Sequence, residues 1–214
     1  MKKTIYFVRH AQSAPSNSLP DSEWPLSRTG KEQSIKLAAL LVPLGIERIV
    51  SSPYVRCLRT IEPFADAVGM KVEQRLGLHE RRISKTLIED FYSVWCQSWD
   101  DFDFALPGCE SNHQAQQRFL EAVRVVIREC ESQTIGICAH GAVIGLLLHA
   151  IADGAGREQA EALTNPDVLR VVVDGEAWNW DRSFQLPGLH FVSSHHADTP
   201  IDLDSPSSPK RNEG

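Results

Sequence analysis

The stretch Thr4-Ile5-Tyr6-Phe7-Val8-Arg9-His10-Ala11-Gln12-Ser13 decides how this chain reads. Residues 4–8 are β-branched and aromatic, and the run ends abruptly in a cation and an imidazole. That pattern predicts a buried strand. Its carboxyl end delivers Arg9 and His10 to the crevice where open α/β sheets place their ligands. A guanidinium offers a planar fork to phosphate oxygens, and a neutral imidazole is a nucleophile near neutral pH.

Working outward, two more strand-to-helix junctions follow. Residues 46–51 form a second apolar run, followed by Ser52-Pro53, an N-cap with proline at the first helical position, and then by Arg56. Residues 134–138 form a third, which Ala139-His140-Gly141 turns into an apolar helix reaching about residue 152. A helix between the first two strands starts at Ser27, or at Thr29 with Glu32 as a capping box. Its apolar face is predicted as Ile35, Ala38, Ala39 and Val42, with Pro43 ending it. The helix carrying Arg56 is expected to kink or split at Pro63 and to stop at Gly69.

Residues 71–73 read as a short edge strand, and Ser111 opens an amphipathic helix with Ala115, Phe119, Ala122, Val123 and Val126 on one face. Residues 168–173 and 176–180 flank Asp174-Gly175, a hairpin signal. Alternating strands and helices imply an α/β fold: a three-layer αβα sandwich, its mainly parallel sheet covered by helices on both faces. One domain is expected over residues 1–197, followed by a tail of proline, serine and charge over 198–214 that has little to bury.

Composition excludes several classes. The chain has 214 residues, 42% hydrophobic and 23% charged, which suits a soluble globule. A net charge of −6 weighs against nucleic acid or an anionic membrane as the main partner. No apolar run approaches the roughly 20 residues of a membrane helix. Arg9 and His10 interrupt the N-terminal run too early for a secretory signal, so a cytoplasmic location is expected. The 5 cysteines form no CxxC pair and read as free thiols. None has an arginine six residues downstream, so the loop of cysteine-dependent phosphatases is missing.

The three junctions lie at the same end of their strands, so Arg9, His10, Arg56 and His140 are expected to meet in one crevice. Helix N-termini near Ser52 and Gly141 would add partial positive charge there. Arg9, Arg56 and His140 would hold the non-bridging oxygens of a phosphate, and Ser13 would donate one further hydrogen bond. His10 attacks phosphorus only through an unprotonated nitrogen, and its cationic neighbours favour the neutral ring. The partner so implied is a small phosphorylated molecule.

Arg9-His10-Ala11-Gln12-Ser13, Leu26-Ser27-Arg28-Thr29-Gly30, Ser51-Ser52-Pro53-Tyr54-Val55-Arg56 with Thr60, then Glu80 and Ala139-His140-Gly141, occur in that order. In this set the chain resembles the histidine phosphatase superfamily, in its phosphoglycerate mutase-like branch. The resemblance implies a phosphohistidine on His10, with Arg9, Arg56 and His140 as the phosphate pocket. It implies Glu80 as proton donor to the leaving group and then as base for water. It implies no metal and no cofactor.

The expected activity is hydrolysis of a small phosphate monoester. The alternatives are a phosphoglycerate mutase and, from another class, a non-catalytic phosphate-binding or scaffold module. Arg81-Arg82 after Glu80 is similar to the mutase Glu-Arg pair. Against that, the position seven after Arg9, commonly asparagine in mutases, is Ser16, with Asn17 one place late. The aromatic stretch 91–104, with Asp100, Asp101 and Asp103, reads as a helix packed on the core or as a lid that selects the organic part of the substrate. His149 reads as a satisfied core residue, and His195-His196 as part of a solvated tail.

Overall fold

In the computed structural model, which describes residues 2–86 and 88–188, strand β1 (Lys2–Arg9) sends side chains into two separate cores. Ile5 and Phe7 enter one, and Tyr6 and Val8 enter the other. Only a strand covered on both faces accepts such a run. The remaining strands are β2 (Arg48–Ser51), β3 (Val72–Gln74), β4 (Thr134–Ala139), β5 (Asp167–Asp174) and β6 (Ala177–Trp180). Their order is β3-β2-β4-β1-β5-β6. The first four run parallel, while β5 is antiparallel to β1, and β6 to β5. Gly175, with φ of 60°, supplies the left-handed residue of the predicted hairpin.

Helices α1 (Arg28–Leu41) and α2 (Val55–Val68) cover one face, where Leu37, Leu41, Ile61 and Phe64 pack against Tyr6 and Val8. Helices α4 (Asn112–Arg128) and α5 (Gly141–Ile151) cover the other, with Phe119, Val123, Ile144 and Leu147 against Ile5 and Phe7. This is the three-layer αβα sandwich expected from the sequence. Two shorter helices, α3 (Phe91–Asp100) and α6 (Arg157–Ala162), flank α5; the second has no mark in the sequence pattern. No helix among the described residues is long and apolar enough to cross a membrane. All 5 cysteines are free thiols. The expected tail over 198–214, with His195-His196 before it, lies outside the described residues.

Four local expectations need correction; His149, expected in the core, is exposed on α5, with its Nδ1 2.9 Å from the Ala155 carbonyl. The inward face of α1 is Gly30, Gln33, Ser34, Leu37, Ala38 and Leu41, whereas Ile35 is 66% and Val42 49% exposed. Tertiary contacts turned the helix: Gln33 Oε1 accepts from Gln12 N at 2.9 Å, and Gly30 lies against the Gln12 carbonyl. Helix α2 starts at Val55 with Tyr54 as N-cap, so Ser52 is released from the capping role. Pro63 stays inside an unbroken α2. An interior proline costs about 3 kcal/mol. Burying Ile61 and Phe64 on either side returns about 1.5–3 kcal/mol each, enough to hold the helix together.

The sheet register aligns the strand ends. Arg9 pairs with Ala139, and Ser51 with Cys138. The residues that follow, His10, His140 and Ser52, therefore leave the sheet side by side.

Candidate active site

His10 sits on a fully anchored backbone. Its N–H donates to Ala139 O at 3.1 Å, and its carbonyl accepts from Asn165 Nδ2 at 2.9 Å. Ala11 N donates to Thr60 Oγ1 at 2.9 Å, and Thr60 in turn donates to Arg56 O at 2.7 Å. The Ala11 carbonyl lies 2.7 Å from His10 Nδ1. A carbonyl only accepts, so Nδ1 carries the proton and Nε2 keeps its lone pair. Nε2 accepts from Arg56 Nε at 3.3 Å. Burial above all, then Arg56 and Arg9, holds the His10 pKa well below the ordinary histidine value.

Both guanidinium groups act on this ring electrostatically. Arg9 is buried and donates to Leu163 O at 2.7 Å. It lies so close to Gly141 that a Cβ there would stand 2.8–3.0 Å from the guanidinium. Arg56 is buried between Tyr54, 4.9 Å from its ring, and Trp24, at 5.7 Å, and donates to the Asp21 carbonyl. His140 is fully buried, edge-on to His10 with 5.2 Å between ring centroids. Its Nε2 pairs with Ser52 Oγ at 2.7 Å, with Cys57 Sγ 3.4 Å away. Burial first, then Arg56, lowers its pKa well below the usual value.

Glu80 joins the group through a contact that sequence gives no sign of. Its carboxylate oxygens accept from Ala142 N and Val143 N, both at 3.2 Å, so it caps the N-terminus of α5. Arg81 N donates to Oε1 at 2.8 Å. The helix end expected to face a phosphate thus already holds a carboxyl group. Burial raises the Glu80 pKa, while the N–H donors, Arg56 and Arg9 pull the other way; the net direction is up.

Arg9, His10, Arg56, Glu80 and His140 are therefore brought together. Ser13 is buried, and its backbone bridges to Leu26. Asn17 is exposed in a turn. In the aromatic stretch Trp95, Trp99, Phe102 and His149 form a chain of ring contacts with centroids 4.7–5.7 Å apart, with Trp99 against Gly145 of α5. Asp100 pairs with Arg157 and Asp103 with His113, so these carboxylates have local partners. The stretch does form a helix, α3, but not one packed into the core: its buried residue is Ser98, Trp95 and Trp99 are half-buried outside both cores, and Phe91 and Tyr92 are exposed.

Sequence reasoning missed Ser52, Asn165, Asp21 and Trp24. Ser52 could have been found, since it stands in the same motif as Arg56. Asn165 and Trp24 lie in loops without periodicity.

A family model described as histidine phosphatase superfamily (branch 1) matches residues 5–185. A protein named "Probable phosphoglycerate mutase GpmB" from Erwinia tasmaniensis is 27% identical over 211 residues, covering 92% of this chain and 97% of its own. Its namesake from Escherichia coli is 27% identical over 190 residues, covering 81% and 86%. Among solved structures, a mycobacterial glucosyl-3-phosphoglycerate phosphatase superposes with a TM-score of 0.71 at 17% identity, covering 85% of this chain and 98% of that one. A phosphoglycerate mutase from Bacillus anthracis gives 0.69 at 15%, covering 84% and 92%. The two structures share the fold and say no more than that. The family match runs through β1, both covering layers and β5, and every strand-end junction lies inside it, so the chain belongs to the histidine phosphatase superfamily, branch 1.

Proposed function

We propose that this protein is a metal-independent phosphatase that hydrolyses a small phosphate monoester through a phosphohistidine on His10. The observation that carries the reading is the His10 mount. Nδ1 is tied to the Ala11 carbonyl at 2.7 Å, and the unprotonated Nε2 accepts from Arg56 Nε at 3.3 Å. A phosphoryl group entering there replaces that contact with charge-assisted bonds from Arg9 and Arg56, with His140 and the Ser13 hydroxyl completing the pocket.

Nε2 attacks phosphorus as the ester P–O bond breaks, and Glu80 gives its proton to the departing alkoxide. A dianionic phosphate beside Glu80 raises the carboxyl pKa further, which keeps that proton in place until it is needed. The resulting carboxylate then takes a proton from water as the water attacks phosphorus. The P–N bond breaks, and phosphate and neutral His10 are released.

A second reading, phosphoglycerate mutase, is favoured by the name of the relatives at 27% identity. It shares the first step but returns the phosphoryl group to a sugar acid, whose carboxylate needs its own cation. Arg81, the arginine beside Glu80, is turned into the protein, donating to Glu110 O at 3.0 Å and Ser98 Oγ at 2.7 Å. That favours hydrolysis.

The test is mixing with a labelled monoester, followed by quenching. Acid-labile, base-stable phosphate on the protein is expected, and His10→Ala is expected to lose both the label and about 1,000-fold or more in turnover. Full turnover by His10→Ala would sink the nucleophile assignment. Isomerisation of 3-phosphoglycerate in the presence of 2,3-bisphosphoglycerate, without phosphate release, would establish the mutase instead.

A further inference from the structure

Glu80 lies in a loop with little regular structure of its own, between the 3₁₀ turn Leu76–Leu78 and α3. A proton donor on such a loop must be held in place by something else. The Glu80 carboxylate rests on α5, and one largely buried ion pair fixes the backbone around it. Arg118, on α4, donates through Nη1 to Gly77 O at 2.8 Å and to His79 O at 3.0 Å, with Nη2 3.5 Å from Glu80 O. The same guanidinium meets Glu110 in a fork, Nε to Oε1 at 2.8 Å and Nη2 to Oε2 at 2.9 Å. Glu110 grips the far side of the loop: its Oε2 accepts from Arg82 N at 3.1 Å, and its own N donates to Arg82 O at 2.9 Å. The Arg118 and Glu110 side chains are only 20% and 12% exposed. Carbonyls on one side of Glu80 and the peptide on its other side are thus tied to one unit.

We infer that Arg118, locked by Glu110, is a positioning residue that keeps the Glu80 carboxyl in the cluster with Arg9, His10, Arg56 and His140. The inference rests on the reading of Glu80 as acid and base. Arginine suits this work because five donors in a rigid plane meet two or three carbonyls and a carboxylate together. A lysine ammonium, with three donors on a flexible stem, does not span both sides. Most surface pairs contribute little, but this one is largely desolvated, and both partners are hydrogen-bonded to backbone.

The test compares kcat/KM for p-nitrophenyl phosphate, whose leaving group needs little protonation, with that for the phosphate of a simple primary alcohol, whose leaving group needs it fully. This quantity reports steps up to departure of the alcohol. Four proteins are measured: parent, Glu80→Gln, Arg118→Gln and the double variant. Glu80→Gln is expected to lower the alkyl ester about 100-fold relative to the aryl ester. Arg118→Gln is expected to shift the same ratio about tenfold, and to add no further shift on the Glu80→Gln background.

An Arg118→Gln effect equal on both esters, or one that multiplies the Glu80→Gln effect, would overturn the positioning role. Absence of a leaving-group effect in Glu80→Gln itself would overturn the acid assignment instead, so the two failures are distinguishable. If Arg118→Gln does not fold, Glu110→Gln, which keeps the carbonyl contacts and loosens the fork, carries the same comparison. There too an unmoved ratio refutes the inference.

Discussion

At the scale of single residues, the site depends on where small side chains let large ones come. Gly141 opens α5, and Arg9 lies directly on it. Alanine there would place a methyl 2.8 Å from Arg9 Nε. The guanidinium is the end of a flexible chain and can swing away, so the fold survives. Alanine also favours a helix over glycine by up to about 1 kcal/mol, which offsets part of the strain. Gly141→Ala is therefore expected to change stability by no more than about 1 kcal/mol in urea unfolding. It is expected to raise KM for a phosphate monoester about tenfold, as one charge-assisted contact weakens. A variant that unfolds readily and keeps its KM would show that Gly141 serves packing rather than the Arg9 seat.

At the scale of elements, the loop after β1 is fastened to α1 rather than laid over it. Ser27 caps α1 by accepting from Gly30 N at 2.9 Å, while its own N–H donates to Gln12 O at 3.0 Å and its hydroxyl to Gln12 Oε1 at 2.7 Å. Gly30 completes the junction, because a Cβ there would fall 2.0 Å from the Gln12 carbonyl oxygen. Here the obstacle is backbone on both sides and cannot swing away. Gly30→Ala is expected to cost about 2–4 kcal/mol in unfolding free energy, in contrast to Gly141→Ala. The urea midpoint measures it directly, and an unchanged midpoint would mean that the loop and helix separate without penalty. The same junction explains why periodicity misplaced the inner face of α1. Gln33 is turned inward by the loop it bonds, Ser34 beside it returns its hydroxyl to Lys31 O within α1, and Ile35 is left in solvent.

At the scale of the whole molecule, what could be read from sequence was whatever is local. The strand ending in Arg9-His10, the cation four residues after Ser52 and the Ala139-His140-Gly141 turn each carry their own signal, and a parallel sheet brings such ends together. The seat of Glu80 on α5, the Asn165 bond to His10 and the Arg56 clamp by Asp21 and Trp24 are made only when distant loops close, so no window of sequence contains them. Closure also decides how the molecule responds to acid. His10 and His140 are buried with pKa values well below 6.5, and His79 is lowered too, burial being the largest cause for each. In the unfolded chain these rings titrate near 6.5. Below that pH the unfolded state binds protons that the folded state refuses. Stability is therefore full above about pH 6.5 and falls as pH drops, by up to about 1.4 kcal/mol per pH unit for each fully neutral buried ring. Glu80 and Asp167 have the opposite sign: burial raises their pKa values, so the folded state holds protons that the unfolded chain releases, and it gains stability as pH falls through those raised values. Those gains oppose the imidazole loss, so the imidazole part is read from the difference between the parent and a variant lacking one ring. Urea unfolding at about pH 7.5 and about pH 5.5 is expected to show a loss of 1 kcal/mol or more in the parent and a distinctly smaller one in His140→Gln. Parallel lines for the two proteins would mean that His140 is not buried as a neutral ring, and that the field of Arg9 and Arg56 does not act on it.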